Sequence, residues 1–228
     1  MARCKAGLLH CHENDDIIAI LKQGGVRMEY IGDVFYEYGG GLYANLTNRC
    51  PDRCEFCIRY MVGALGDADS LWLKREPSFD EIKELLGEWD LSRFYELVFC
   101  GYGEPTERLE DLLRTAKYAK ELCPRIKVRI NTNGLSDLIN GRDTTEDLRG
   151  IVDAVSISLN AKGPEEYLAL CHPRFGIEAF DAMIDYTRRV KKVVPDVTMS
   201  IVGGTIPRAD EEPCRKIAEG LGVKFRIR

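Results

Sequence analysis

The sequence predicts an α/β fold in which six strands alternate with helices and curve into a partial barrel. Three observations carry this. Strand-type alternation recurs six times between residues 42 and 228, with helical periodicity between the strands. Four of the strands pair one apolar face with one polar face, rather than reading as continuous apolar runs. At 228 residues the chain is economically one domain with a substantial core.

The elements follow in order. "NDDIIAILKQGG" reads as a short helix, with acids at its start and Gly24–Gly25 at its end. "VRMEYIGDVFYEYGGGLYANLT" breaks at "GD" and "GGG", which predicts a small hairpin leading into a first core strand, Leu42–Thr47. Ser78-Phe79-Asp80-Glu81 has the form of a capping box opening a helix toward Trp89. "YELVFCG" is a strand. "ERLEDLLRTAKYAKELC" places Leu109, Leu112, Leu113, Ala116 and Ala119 at helical spacing. "KVRIN" is a strand, "TTEDL" a short capped helix, and "DAVSISLN" a further strand. "IEAFDAMIDYTRRVKKVV" is a long amphipathic helix. "VTMSIVGG", "DEEPCRKIAEG" and "VKFRIR" complete the chain as strand, helix and strand.

The strand faces select among the α/β architectures. Val155, Ile157 and Leu159 alternate with Ser156, Ser158 and Asn160; Val128 and Ile130 alternate with Lys127, Arg129 and Asn131. Leu42, Ala44 and Leu46 alternate with Tyr43, Asn45 and Thr47, and Val223, Phe225 and Ile227 with Lys224, Arg226 and Arg228. An open sheet covered on both faces, or a closed eight-stranded barrel filled with aliphatic side chains, would not carry this polar face. A partial (β/α)6 TIM-type barrel does: helices cover the outside, and the concave lumen is wet or ligand-filled. In the final strand, "VKFRIR", the charges equally suit protection of an exposed sheet edge. The expected organisation is an N-terminal extension, residues 1–33, followed by the barrel domain, residues 34–228.

Composition narrows the chemistry. Lysine and arginine number 32 against 37 acids, a net charge of −5, which disfavours a general nucleic-acid-binding surface. No apolar run approaches the ~20 residues that span a bilayer. The start, "MARCKAGLLHCHENDD", lacks the apolar core of a signal peptide, so a cytoplasmic location is expected. Nine cysteines in such a chain point to metal or redox chemistry before disulfides.

Three of those cysteines sit together in "NLTNRCPDRCEFCIRY": Cys50, Cys54 and Cys57, spaced C-x3-C-x2-C. Thiolates bind zinc or iron–sulfur clusters, but both usually take four protein ligands, and no second C-x-x-C or C-x-x-H unit follows. Three thiolates on a cubane leave one iron open to a small molecule. A second block, "FCGYGEPTER", ends the second strand. Its glycines allow close backbone approach.

Together these blocks resemble the radical S-adenosylmethionine (SAM) enzymes, whose hallmark is C-x3-C-x2-C after the first barrel strand with an aromatic before the third cysteine, here Phe56. The resemblance implies a 4Fe–4S cluster on Cys50, Cys54 and Cys57, with SAM on the open iron. "GYGEP" is similar to the family's Gly-Gly-Glu-Pro block, which implies that Tyr102, Gly103 and Glu104 contact the SAM amino group. By the same resemblance Asn131 in "NTNG", Ser158 and Asn160, and Val202 in "IVGG" line the SAM pocket. The run from "VFYEYGGGLYANLTNRCP" to "YLALCHPRFGIEAF" is most similar to the TatD-associated radical SAM proteins, over roughly residues 34–228. That subgroup implies a functional link to a TatD-type nuclease, and the superfamily implies an electron donor such as flavodoxin or ferredoxin.

The lumen adds an expectation from the residues themselves. Arg129 and Arg226, with Lys127 and Lys224 below them, bring positive charge into an acidic protein. One charge suits the SAM carboxylate and a surplus suits an anionic or nucleotide-like substrate. Cys4, His10, Cys11 and His12 form a possible second metal set of no standard zinc spacing. Cys100 and Cys123 read as packing residues, and Cys171, in "LCHPRFG", reads as helix packing first, with a functional thiol near the active-site mouth as the alternative. Two other functions compete: an activase installing a glycyl radical on a partner protein, and a non-catalytic module organised by zinc.

Overall fold

In the computed structural model, residues 29–228 are described, and Ile31–Arg228 forms one compact unit. The N-terminal helix and the Cys4/His10/Cys11/His12 set lie outside the described residues. The unit is built on a seven-stranded sheet whose spatial order, β1 to β7, is also its order in the chain. The strands are β1 (Phe35–Tyr38), β2 (Gly41–Ala44), β3 (Glu96–Phe99), β4 (Lys127–Thr132), β5 (Ala154–Ser158), β6 (Asp196–Ile201) and β7 (Lys224–Ile227). β1 and β2 are antiparallel, and every later pair is parallel. This is the expected partial barrel with a hairpin at its leading edge. Gly39 and Gly40 both take positive φ, 58° and 82°, the backbone a two-residue type I′ hairpin turn demands.

Six helices connect or flank the strands: α1 (Phe79–Gly87), α2 (Leu109–Leu122), α3 (Ser136–Asn140), α4 (Pro164–Cys171), α5 (Glu178–Val190) and α6 (Arg208–Leu221). The expected strand faces hold. Leu42, Ala44, Val128, Ile130, Val155 and Ile157 are each at most 1% exposed and join one core with the inner faces of the helices. β7 departs from this at the edge, where Ile227 is 40% exposed. Two helices were not expected. α3 is a single short turn ended by Gly141 in the left-handed conformation, and α4 follows Gly163 with Pro164 in its first turn. The "TTEDL" segment is a 3₁₀ turn, Thr145–Leu148, rather than a capped α-helix. No helix among the described residues is long and apolar enough to cross a membrane.

The capping box of α1 forms as the sequence predicts. Glu81 N–H donates to Ser78 Oγ at 3.3 Å, and Ser78 N–H donates to Glu81 Oε2 at 2.7 Å. Hydrogen bonds from Arg75 and from Ser78 N–H hold the Glu81 carboxyl down at about 2. Ser78→Ala is expected to cost about 1 kcal/mol of stability in urea denaturation at neutral pH. Because the folded carboxyl is depressed, Glu81's contribution is present above its ordinary 4.5 and is lost as pH falls toward 2. A Ser78→Ala protein as stable as wild type at neutral pH would show that the cap contributes nothing.

Candidate active site

The cysteine loop leaves the C-terminal end of β2 and is tied down on three sides. Asn45 Nδ2 donates to the carbonyls of Leu71 and Asp33, at 2.8 and 3.1 Å. Asn48 exchanges two bonds with the Leu73 backbone, 2.7 and 3.1 Å. Arg49 bridges Glu76 and Glu107, 2.7 and 3.2 Å. Farther along, the N–H groups of Arg53 and Glu55 donate to the carbonyls of Cys171 and Leu170, 2.9 and 3.1 Å. These are last-turn carbonyls of α4, which lack partners within their own helix.

The second motif lies directly against this loop. A Cβ at Gly101 would stand 2.1 Å from Asn45 Oδ1, and one at Gly103 would stand 2.2 Å from the Thr47 carbonyl and 2.6 Å from that of Arg49. Only glycine lets the two segments approach so closely. Glu104 N–H then donates to the Arg49 carbonyl at 2.8 Å. The C-x3-C-x2-C loop and the G-x-G-E-P block are therefore one packed unit at the C-terminal ends of the strands.

Glu104 faces inward. Its carboxylate, 4% exposed, accepts from Thr106 N–H and Oγ1, from Thr132 Oγ1 and from Asn133 N–H, at 2.7–3.1 Å. Burial raises its pKa, and those four donors oppose the rise. So the glutamate braces the end of β4 against the end of β3, with its acceptor capacity largely taken. Tyr102 is buried, sits edge-on to Trp72 and donates its hydroxyl to the Val62 carbonyl. Its own carbonyl is approached by Arg59 at 3.5 Å.

The three thiols are half-buried and free of disulfides. Burial first, then Glu104 and Asp52, push the Cys50 thiol up. Cys54 is pushed up by the neighbouring Cys171 thiol and by burial, and Cys57 mainly by burial. Arg59 pulls Cys57 the other way. The protein by itself thus does little to form thiolates, and a bound metal charge would have to do it. Among the described residues, no three Cys, His, Asp or Glu side chains converge tightly enough to grip a single ion. A soft donor set of three thiols fits an iron–sulfur group.

The other expected residues are spread over the cysteine loop, the strands and the strand ends. Phe56 is half-buried against the core. Asn131 accepts from Arg129 Nη1 at 3.2 Å. Ser158, at the end of β5, accepts from Arg228 at 3.1 Å. Asn160 is buried with φ +58°; its Nδ2 faces Cys171 Sγ at 3.7 Å, and its Oδ1 has no partner. Val202 follows β6, its carbonyl accepting from Thr205. Arg129 lies deeper, in a two-bond pair with Glu96 at 2.6 and 3.0 Å, so its charge is matched inside the protein. Arg226 lines the lumen from β7.

Several site neighbours went unforeseen. Asp52, between the first two cysteines, is 4% exposed and accepts from Tyr167 at 3.2 Å and Asn133 at 3.3 Å. Tyr167 belongs to α4, which the strand-helix rhythm passed over. Cys171, read as packing, is fully buried and touches the Cys54 thiol. The acid between two cysteines was the one visible signal of this network.

Comparison with known proteins completes the picture. A family model described as the Radical SAM superfamily matches residues 44–213. No curated protein matches the chain. Among solved structures, it is similar to Streptococcus suis SuiB bound to the precursor peptide SuiA, at 16% identity and TM-score 0.59, over 81% of this chain and 38% of SuiB. It is likewise similar to a radical SAM methyltransferase from Sphaerobacter thermophilus, at 16% identity and TM-score 0.59, over 85% of this chain and 57% of the other. Methylornithine synthase (PylB) aligns at 16% identity and TM-score 0.54, over 82% and 52%. At these identities the likeness is one of fold, and the chain spans less than two thirds of each.

Proposed function

The chain belongs to the radical SAM superfamily, and from that premise we propose that it is a cytoplasmic enzyme that cleaves SAM reductively at a 4Fe–4S cluster. When bound, the cluster supplies the electron that splits SAM into methionine and a 5′-deoxyadenosyl radical, which takes a hydrogen atom from the substrate. Cys50, Cys54 and Cys57 would hold the cluster. The carbonyls of Tyr102 and Gly103 would orient the SAM ammonium. Glu104 fixes the geometry of that block from within, rather than spending its carboxylate on the ligand. Phe56, Asn131, Ser158, Asn160 and Val202 would line the rest of the SAM site, and the unpartnered Asn160 Oδ1 offers an acceptor there. The surrounding barrel wall excludes water from a reactive species. The electron donor would be a flavodoxin or ferredoxin, and a link to a TatD-type nuclease follows from the subgroup resemblance.

One observation carries this reading: the three-cysteine loop and the G-x-G-E-P block pack on each other through Gly101 and Gly103. Anaerobic reconstitution followed by reduction in the presence of SAM tests it. The expected product is 5′-deoxyadenosine, from brown protein containing iron and sulfide. A colourless protein that retains zinc, or reconstituted protein that leaves SAM intact, would reject it.

A further inference from the structure

The concave side of the sheet holds a cavity of about 730 Å³, within the usual size of small-molecule sites. It opens toward the N-terminal ends of the strands, where Glu96, Lys127, Asp196 and Lys224 begin β3, β4, β6 and β7. Four cations in its wall face three acids. Arg129 pairs with Glu96 at 2.6 Å, Lys224 with Asp196 at 2.8 Å, and Lys127 with Asp153 at 3.6 Å. Asp153 is also engaged by Lys120 at 2.8 Å. Arg226 is the cation left over, with no acidic partner among the described residues.

The charge around Arg226 is positive on its other side too. Arg228, one pleat above, is close enough to Arg226 and Arg129 to feel both charges. Ser156 also lines the cavity. It is 5% exposed, and its Oγ has no hydrogen-bond partner. A buried hydroxyl without a partner and an exposed guanidinium without a counter-ion border one cavity, and together they offer the two kinds of contact an oxyanion takes. The strand register sets the depth. Arg226 pairs with Ser200, and Ser200 with Ser158, so the upper edge of the cavity reaches the level of Ser158.

We propose that this cavity binds a small organic anion, carboxylate or phosphate, seated on Arg226 with Ser156 as a second contact. As the substrate pocket of a radical enzyme this rests on the function proposed above; as an anion site it stands alone.

Titration calorimetry on cluster-loaded, full-length protein tests it, with succinate and inorganic phosphate as probes and glycerol as the neutral control. Both anions should bind more tightly than glycerol, and the tighter of the two identifies the oxyanion. Arg226→Gln should weaken anion binding by about tenfold or more, Arg226→Lys should restore part of it, and Ser156→Ala should weaken it severalfold. The proposal is overturned if wild-type protein binds neither anion, or if Arg226→Gln binds them unchanged, including the case in which that variant weakens SAM binding alone. Anion binding in protein that makes no 5′-deoxyadenosine would reject the radical reading and keep the site. SAM cleavage without anion binding would reject the site and keep the radical reading.

Discussion

Replacing any one of Cys50, Cys54 or Cys57 with alanine is expected to remove nearly all cluster iron and all 5′-deoxyadenosine formation. Cys171→Ala should preserve both. The expectation follows from the donor set: three thiols on one loop, half-buried, pushed up first by burial (for Cys54, by the Cys171 thiol and burial) and in each case also by Asp52. Two remaining thiolates have no third to recruit from the loop. Among the described residues, Cys171 is a sulfur beside Cys54, fully buried and bordering Asn160. Iron and sulfide analysis of the four variants, set beside product formation, decides the matter. Full iron content in Cys54→Ala, or its loss in Cys171→Ala, would mean that Cys171 is a ligand and that the three-thiolate account is wrong.

Gly103→Ala carries the second large effect. The added methyl would meet the carbonyls of Thr47 and Arg49 at 2.2 and 2.6 Å, and backbone cannot turn aside as a side chain can. Forced separation of this kind typically costs about 1–3 kcal/mol. Here it would also move the Tyr102–Gly103 carbonyls away from the cysteine loop, so SAM binding should weaken by about tenfold or more, since each 1.4 kcal/mol is a factor of ten. Gly87→Ala is the control: it ends α1 with nothing within 4 Å of the added Cβ and should be neutral or mildly stabilising. Thermal denaturation and SAM titration on both variants provide the measurement. A Gly103→Ala protein matching wild type in both would show that the close approach is dispensable.

Much of this was legible in the residues because it is local. Alternation in "DAVSISLN" and "KVRIN" fixed which side chains line the lumen, and the cysteine spacing is visible within eight positions. What escaped depends on register and on distant partners. Arg129 looked like free lumen charge, but β3 and β4 align Glu96 with Lys127, which brings Glu96 within reach of Arg129. Glu104 looked like a ligand contact, and only the fold reveals that Thr132 and Asn133 occupy its oxygens. α4 was missed because its eight residues carry too weak an apolar stripe to stand out, although Pro164 and two acids mark its start.

The seating of the cysteine loop on the end of α4 has a temporal consequence. In a nascent chain Cys57 leaves the ribosome well before Leu170 and Cys171, whose carbonyls anchor the loop. At roughly 5–20 residues per second, that interval is on the order of ten seconds. Throughout it the loop has its anchors at Leu71, Leu73 and Glu76 but lacks those that Arg53 and Glu55 find on α4. If the loop holds the cluster proposed above, its seat for that cluster is complete only after translation has passed α4.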